Sequence, residues 1–166
     1  MPEVGTKDLK WEELVPGRVI ASQAYLMTAD DIREEAEAYE DYNPIYSDVD
    51  FASKSDIGYI VAPFYITLGE FLPPLLKADL KMGVNTVYAS SIKECFKPIF
   101  IGDLITKTLS VEQTYEKRGK KFLVWRIEWV NQHGELVKRH LRTSYWVGTP
   151  QPLIGMDRTG RQVVGS

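Results

Sequence analysis

Between positions 41 and 48 the sequence sets a carboxylate, a carboxamide and a phenol close together, in Asp41-Tyr42-Asn43-Pro44-Ile45-Tyr46-Ser47-Asp48. A carboxylate held within hydrogen-bond reach of a proton is a candidate general base. A phenol with an ordinary pKa of about 10 donates a hydrogen bond but cannot act as a base at neutral pH. The segment also has a plainer reading. Asp41 can end a helix or bond turn amides around Asn43 and Pro44, Asn43 is a turn former, and Tyr46 can be a packing residue with its hydroxyl satisfied. Ser47 and Asp48 read as solvent-facing turn residues.

Other reactive groups are sparse. Cys95 is the only cysteine, which rules out an intrachain disulfide and a cysteine-rich metal site, and an inert buried thiol is its commoner role. His133 falls in a turn-like run. His140 alternates with Lys138 and Arg142 on what reads as the outward, polar face of a strand, which argues against its being a base. Two histidines, one in a turn and one in a strand, and one cysteine show no metal-ligand spacing. Lys117, Arg118, Lys120 and Lys121 could hold phosphates, but a solvated hairpin tip is the simpler explanation. The net charge of -3 is interspersed, with no basic stripe for nucleic acid or an anionic membrane. The first twenty residues lack an apolar signal core, so a cytoplasmic protein is expected.

The elements that must position these groups follow from periodicity. Residues 1–12 are polar and expected to be frayed or lightly attached. A strand is expected from Arg18 to Met27. Thr28-Ala29-Asp30-Asp31 resembles a capping box. Ile32, Ala36 and Tyr39 then recur at helical spacing, with Glu34, Glu35, Glu37 and Glu40 on the other face. Pro44 places the end of that helix near Asn43. A short helical turn is expected near Phe51-Ala52-Ser53. A second helix is expected from Pro63, with Phe64, Leu68, Phe71, Leu72, Leu75 and Leu76 on one buried face, kinked at Pro73-Pro74. From Asn85 the period becomes two. Leu109, Val111 and Tyr115 mark one strand, and Leu123, Trp125, Ile127 and Trp129 mark the next. Lys117–Lys120 reads as a hairpin tip, and Asn131–Gly134 as a second tip leading into a strand from Leu136 to Trp146. Residues 1–147 form one domain and 148–166 a tail.

The segment from Asp41, with Ala52 and Ile60-Val61-Ala62-Pro63-Phe64, resembles the signature of the MaoC-like dehydratases and (R)-specific enoyl-CoA hydratases. Their pattern is D-x-N-P-x-H, then an alanine, then the start of a central helix. Asp41, Asn43, Pro44 and Ala52 match. Phe96-Lys97-Pro98, Gly102-Asp103-Leu104 and Asn131-Gln132-His133-Gly134-Glu135 look like that family's sheet turns, so the resemblance spans roughly residues 18–147. It implies an α+β hot-dog fold, a long central helix wrapped by a curved antiparallel sheet.

In that family an Asp and a His flank a water that adds to a trans-2-enoyl thioester, and a backbone N–H at the helix start polarises the thioester oxygen. This sequence departs at the histidine, which is Tyr46, and at the helix-start glycine, where Phe64 stands. Asn-Pro-x-Tyr and Ala-Pro look more like the dehydratase N-terminal-type variant, which often holds ligand while a second hot dog supplies Asp and His. The resemblance implies Asp41 and Tyr46 as catalytic residues, and Asn43, Pro63 and Phe64 as substrate-binding residues. The substrate would be a thioester of coenzyme A or a carrier protein, with no other cofactor. The expected activity is hydration or dehydration. The alternatives are a non-catalytic binding subunit paired with a catalytic hot dog, and a hot-dog thioesterase. A sheet with more edge and apolar face than one helix covers implies a homodimer or a hetero-oligomer with another hot-dog subunit.

Overall fold

The computed structural model describes residues 9–68 and 86–148. Alternating apolar residues in the second half of the chain build most of one antiparallel sheet. Its strands are β1 (Val19–Leu26), β2 (Thr86–Cys95), β3 (Leu104–Lys117), β4 (Lys120–Val130) and β5 (Leu136–Trp146), in the order β1-β3-β4-β5-β2. Two helices, α1 (Ala29–Ala38) and α2 (Val49–Lys54), lie between β1 and β2 in the chain. The expected helical stretch with Phe71, Leu72, Pro73, Pro74, Leu75 and Leu76, and the tail from residue 149, lie outside the described residues. Among the described residues no helix is long and apolar enough to cross a membrane.

The core face is set by register. Leu123, Trp125, Ile127 and Trp129 of β4 are buried, as their alternation predicts. Across β3 they oppose Val111, Leu109 and Lys107, with Lys107 facing Trp129. The β3–β4 tip is a two-residue loop, Arg118-Gly119, with both residues at positive φ (53° and 72°). That conformation matches the right-handed twist of the flanking strands.

Strand β5 corrects one expectation. Lys138 pairs with Trp129 and His140 with Ile127, and directly opposed residues share a face. The face of Lys138 and His140 is therefore the core face, and both side chains are buried. The lysines are accommodated because their ammonium groups reach backbone carbonyls and aromatic rings. Lys138 Nζ donates to the Ile66 carbonyl and stands 4.4 Å from the Trp129 ring centroid. Lys107 Nζ donates to the Leu68 carbonyl at 2.7 Å and stands 3.9 Å from the Tyr25 ring centroid.

The N-terminal segment is docked rather than frayed over its described part. Leu9 and Leu14 are buried, and the Trp11 ring lies 5.6 Å from that of Trp146. Helix α1 starts with the expected capping box, Thr28 and Asp31 bonding reciprocally. Its buried face is Ile32 and Ala36, while Tyr39, expected beside them, is mostly exposed.

Candidate functional site

Helix α1 stops at Ala38, five residues before the expected end. Glu40 takes a left-handed φ of 55°. The Glu40 N–H then donates to the Glu37 carbonyl at 3.0 Å, and the Asp41 N–H to the Ala36 carbonyl at 2.9 Å. These two bonds make a Schellman motif with glutamate where glycine is usual. Pro44 does not end the helix; it opens a 3-10 turn, Pro44–Tyr46, capped by the Asn43 side chain, which accepts from the Ile45 N–H at 3.1 Å. Asp48 caps α2 in the same manner, accepting from the Phe51 N–H at 3.0 Å. Ile45 and Ala52 point into the core. The Asp41–Asp48 corner is thus pinned at a helix end, two side-chain caps and two buried apolar residues.

The facing segment is fastened at both ends. Val61 bridges Phe100, and the Ala62 N–H donates to the Ile99 carbonyl at 2.7 Å. At the other end Glu35, expected on the polar face of α1, turns to this segment instead. Its Oε1 accepts from the Thr67 N–H at 2.7 Å and hydroxyl at 2.8 Å, and its Oε2 from the Leu68 N–H at 3.3 Å. Between these anchors Pro63–Ile66 closes one turn, the Ile66 N–H donating to the Pro63 carbonyl at 3.0 Å. Leu68 has φ 44°, so regular helix does not run from Pro63 through Leu68. Phe64, expected on a buried helix face, is 68% exposed. Its N–H has no hydrogen-bond partner among the described residues.

The two segments meet at Asp41. Tyr65 donates its hydroxyl to Asp41 Oδ2 at 2.9 Å, and the Asn43 N–H donates to Oδ1 at 3.3 Å. Tyr46 is half-buried, and its phenol is held above the ordinary value of 10.0 first by burial and then by the neighbouring Asp41 carboxylate. Tyr65 is pushed much further up, by burial and then by its hydrogen bond to Asp41 and that group's charge. Both phenols are therefore protonated donors at neutral pH. Sequence reasoning missed Tyr65, which belongs to no motif and has no local partner to betray it.

A cavity of ≈ 450 Å³, predominantly apolar, opens beside this cluster; Asn43, Tyr46, Pro63, Phe64 and Cys95 are among the residues lining it. Asp41 stands next to two of these residues without lining the cavity itself. The structure thus brings together all five residues marked in the sequence, four on the cavity wall and Asp41 adjoining it. His133 sits exposed in the β4–β5 tip, and His140 lies in the core face of β5. Geometrically, the arrangement can hold an apolar chain beside a carboxylate and two phenol donors.

Comparison with known proteins establishes the family and the fold. The sequence matches the family model described as FAS1-like, dehydratase domain region, over residues 15–140. No curated protein sequence matches the chain. Among solved structures, a MaoC-like dehydratase from Rhodospirillum rubrum is similar at TM-score 0.70 and 20% identity, covering 87% of this chain and 99% of that one. The C-terminally truncated HadBC complex, a 3R-hydroxyacyl-ACP dehydratase from Mycobacterium tuberculosis, is similar at TM-score 0.66 and 20% identity, over 78% of this chain and 96% of that one. The (R)-hydratase from A. caviae involved in PHA biosynthesis is similar at TM-score 0.64 and 20% identity, over 84% of this chain and 99% of that one. With most of its length under one family model and a sheet shared with these proteins, the chain belongs to the FAS1-like dehydratase domain region family and has the hot-dog fold of the MaoC-like dehydratases.

Proposed function

We propose that the protein is a hydratase or dehydratase acting on trans-2-enoyl and 3-hydroxyacyl thioesters of coenzyme A or a carrier protein, in cytoplasmic fatty acyl metabolism. The observation that carries this reading is the Asp41 carboxylate set beside the Tyr46 phenol at the edge of a cavity lined mainly by apolar groups. The acyl chain occupies the cavity. Asp41 takes a proton from the water as its oxygen bonds to the β-carbon, the C=C electrons move onto the thioester oxygen as an enolate, and Asp41 then delivers the proton to the α-carbon; dehydration runs the same steps in reverse. Tyr46, protonated and on the cavity wall, donates a hydrogen bond to that water or to the 3-hydroxyl. The Phe64 N–H, unpartnered among the described residues, faces the thioester oxygen and stabilises charge that grows there. No cofactor is needed beyond the thioester's own carrier.

A second reading is a thioester-binding subunit that pairs with a catalytic hot dog. It is favoured by Tyr46, because a phenol held above its ordinary pKa cannot replace a histidine as proton acceptor. Similarity to a heteromeric dehydratase, HadBC, supports pairing of this kind. Co-purification from the native host separates the two readings, followed by a hydration assay of the isolated chain and of any complex. Turnover by the isolated chain supports the enzyme. Turnover only by a complex whose second hot dog carries an intact Asp and His supports the subunit.

A further inference from the structure

The Asp41 carboxylate receives its one side-chain hydrogen bond of full geometry among the described residues from Tyr65, a residue that stands 24 positions away and on the opposite segment. The Tyr65 ring is itself held. It lies 4.5 Å from the Tyr39 ring and 5.6 Å, edge-on, from the Phe64 ring. Its backbone sits between the Ala62–Ile99 hydrogen bond and the Glu35–Thr67 hydrogen bonds. A phenol fixed at its ring and its backbone can fix the group it touches.

We infer that Tyr65 is a positioning residue for the proposed hydration. It engages Asp41 Oδ2 and so turns Oδ1 toward the reacting water. The inference rests on the hydratase reading, and the chemistry explains why such a residue is useful. A carboxylate turns readily about its last torsion. A base whose oxygen is misplaced by an ångström loses much of its rate, because the reacting atoms must meet at near-attack distance. Among the described residues the hydrogen bond to Oδ1 is the long 3.3 Å one from the Asn43 N–H, with the Tyr46 phenol also close to the carboxylate, so Oδ1 is the oxygen with capacity left to accept from water. Asp41, Tyr46 and Glu35 all act on the Tyr65 phenol in the same direction. Tyr65 does not touch the substrate in this scheme. It acts through Asp41.

The test uses the full chain, with its native partner if one co-purifies, and two readouts. The first is NMR titration of the Tyr65 Cζ carbon in protein labelled with 13C-tyrosine, and needs no turnover. Asp41→Asn should lower the Tyr65 midpoint, while burial, the larger cause, keeps it above the ordinary phenol value. An unmoved midpoint overturns the inference. The second is steady-state kinetics with crotonyl-CoA. Tyr65→Phe keeps the ring against Tyr39 and Phe64 while removing the hydroxyl. It should lower kcat by about 10–100-fold with KM within about twofold, the pattern of a misoriented base. Tyr65→Leu, which also loses the ring packing, should lower the thermal midpoint, whereas Tyr65→Phe should leave it nearly unchanged. A wild-type rate kept by Tyr65→Phe overturns the positioning role alone. Absence of wild-type turnover, alone and in complex, overturns the hydratase reading and the positioning role together.

Discussion

Asp41 hangs on the end of α1 through the bond from its N–H to the Ala36 carbonyl, 2.9 Å long. The residue that makes this closure possible is Glu40, whose φ of 55° is one that L side chains adopt at a cost. The candidate base is therefore placed by a helix terminus, and the strain sits one residue before it.

That strain is measurable. Glu40→Gly should stabilise the fold by about 0.5–1 kcal/mol, since glycine removes the left-handed penalty but has more freedom to lose on folding. Urea denaturation should show a higher midpoint with an unchanged slope. A lower midpoint would mean that the Glu40 side chain contributes a contact larger than the strain.

Lys107 should matter to stability far more than a lysine in a strand normally does. Lys107→Ala removes the donor to the Leu68 and Thr67 carbonyls and leaves a gap between Tyr25 and Trp129. The expected cost is about 2–4 kcal/mol, combining unsatisfied carbonyls with a cavity. A change below about 0.5 kcal/mol, the range of ordinary surface sites, would contradict the burial described above.

Much of the sheet was legible because alternation in β4 is strict and its apolar face, Leu123, Trp125, Ile127 and Trp129, is large. The Arg118-Gly119 tip and the Thr28 capping box were legible because their chemistry is local. The inward face of β5 was not. Alternation separates Lys138, His140 and Arg142 from Leu141 and Tyr145, but it does not say which set faces the core, and polarity points the wrong way; Val137 is buried as expected, at the register shift where β5 begins. What decides is pairing with Trp129 and Ile127, together with carbonyls from the 66–68 segment, which only the fold assembles. The end of α1 was misplaced for a related reason. Pro44 is a visible stop signal, whereas a glutamate at a left-handed C-terminal position leaves no mark in composition. The candidate site was legible as a motif in Asp41, Asn43 and Pro44; Tyr65 and Glu35 were not, since each acts across 24 to 33 residues of chain.

Assembly can be tested on strand β2. It is an edge strand in the sheet order, and Val87, Tyr88 and Ile92 are each more than half exposed. Long apolar edges invite pairing with another chain. Sedimentation at micromolar concentration should show a dimer or a dimer of dimers, alone or with a second hot-dog subunit, and Ile92→Glu should shift it toward monomer. A stable wild-type monomer, with no partner in native extracts, would contradict this.

Tyr46→His tests the residue at which the sequence leaves its family's pattern. If Asp41 serves alone as base, adding an imidazole should raise the hydration rate, up to the about 10²–10⁴-fold that a second acid–base group typically contributes. If Phe64 blocks the productive pose, the rate should stay flat until Phe64 is reduced to glycine as well. A fall in rate would show that the phenol itself donates a bond the reaction uses.

The most direct test of the central claim is Asp41→Asn in a hydration assay with crotonyl-CoA, run on the isolated chain and on any native complex, beside equilibrium binding of the same thioester. Asparagine keeps the shape but cannot take a proton, so the expected result is a loss of at least about 10²-fold in kcat with thioester binding nearly intact. Turnover that Asp41→Asn leaves unchanged would contradict the account.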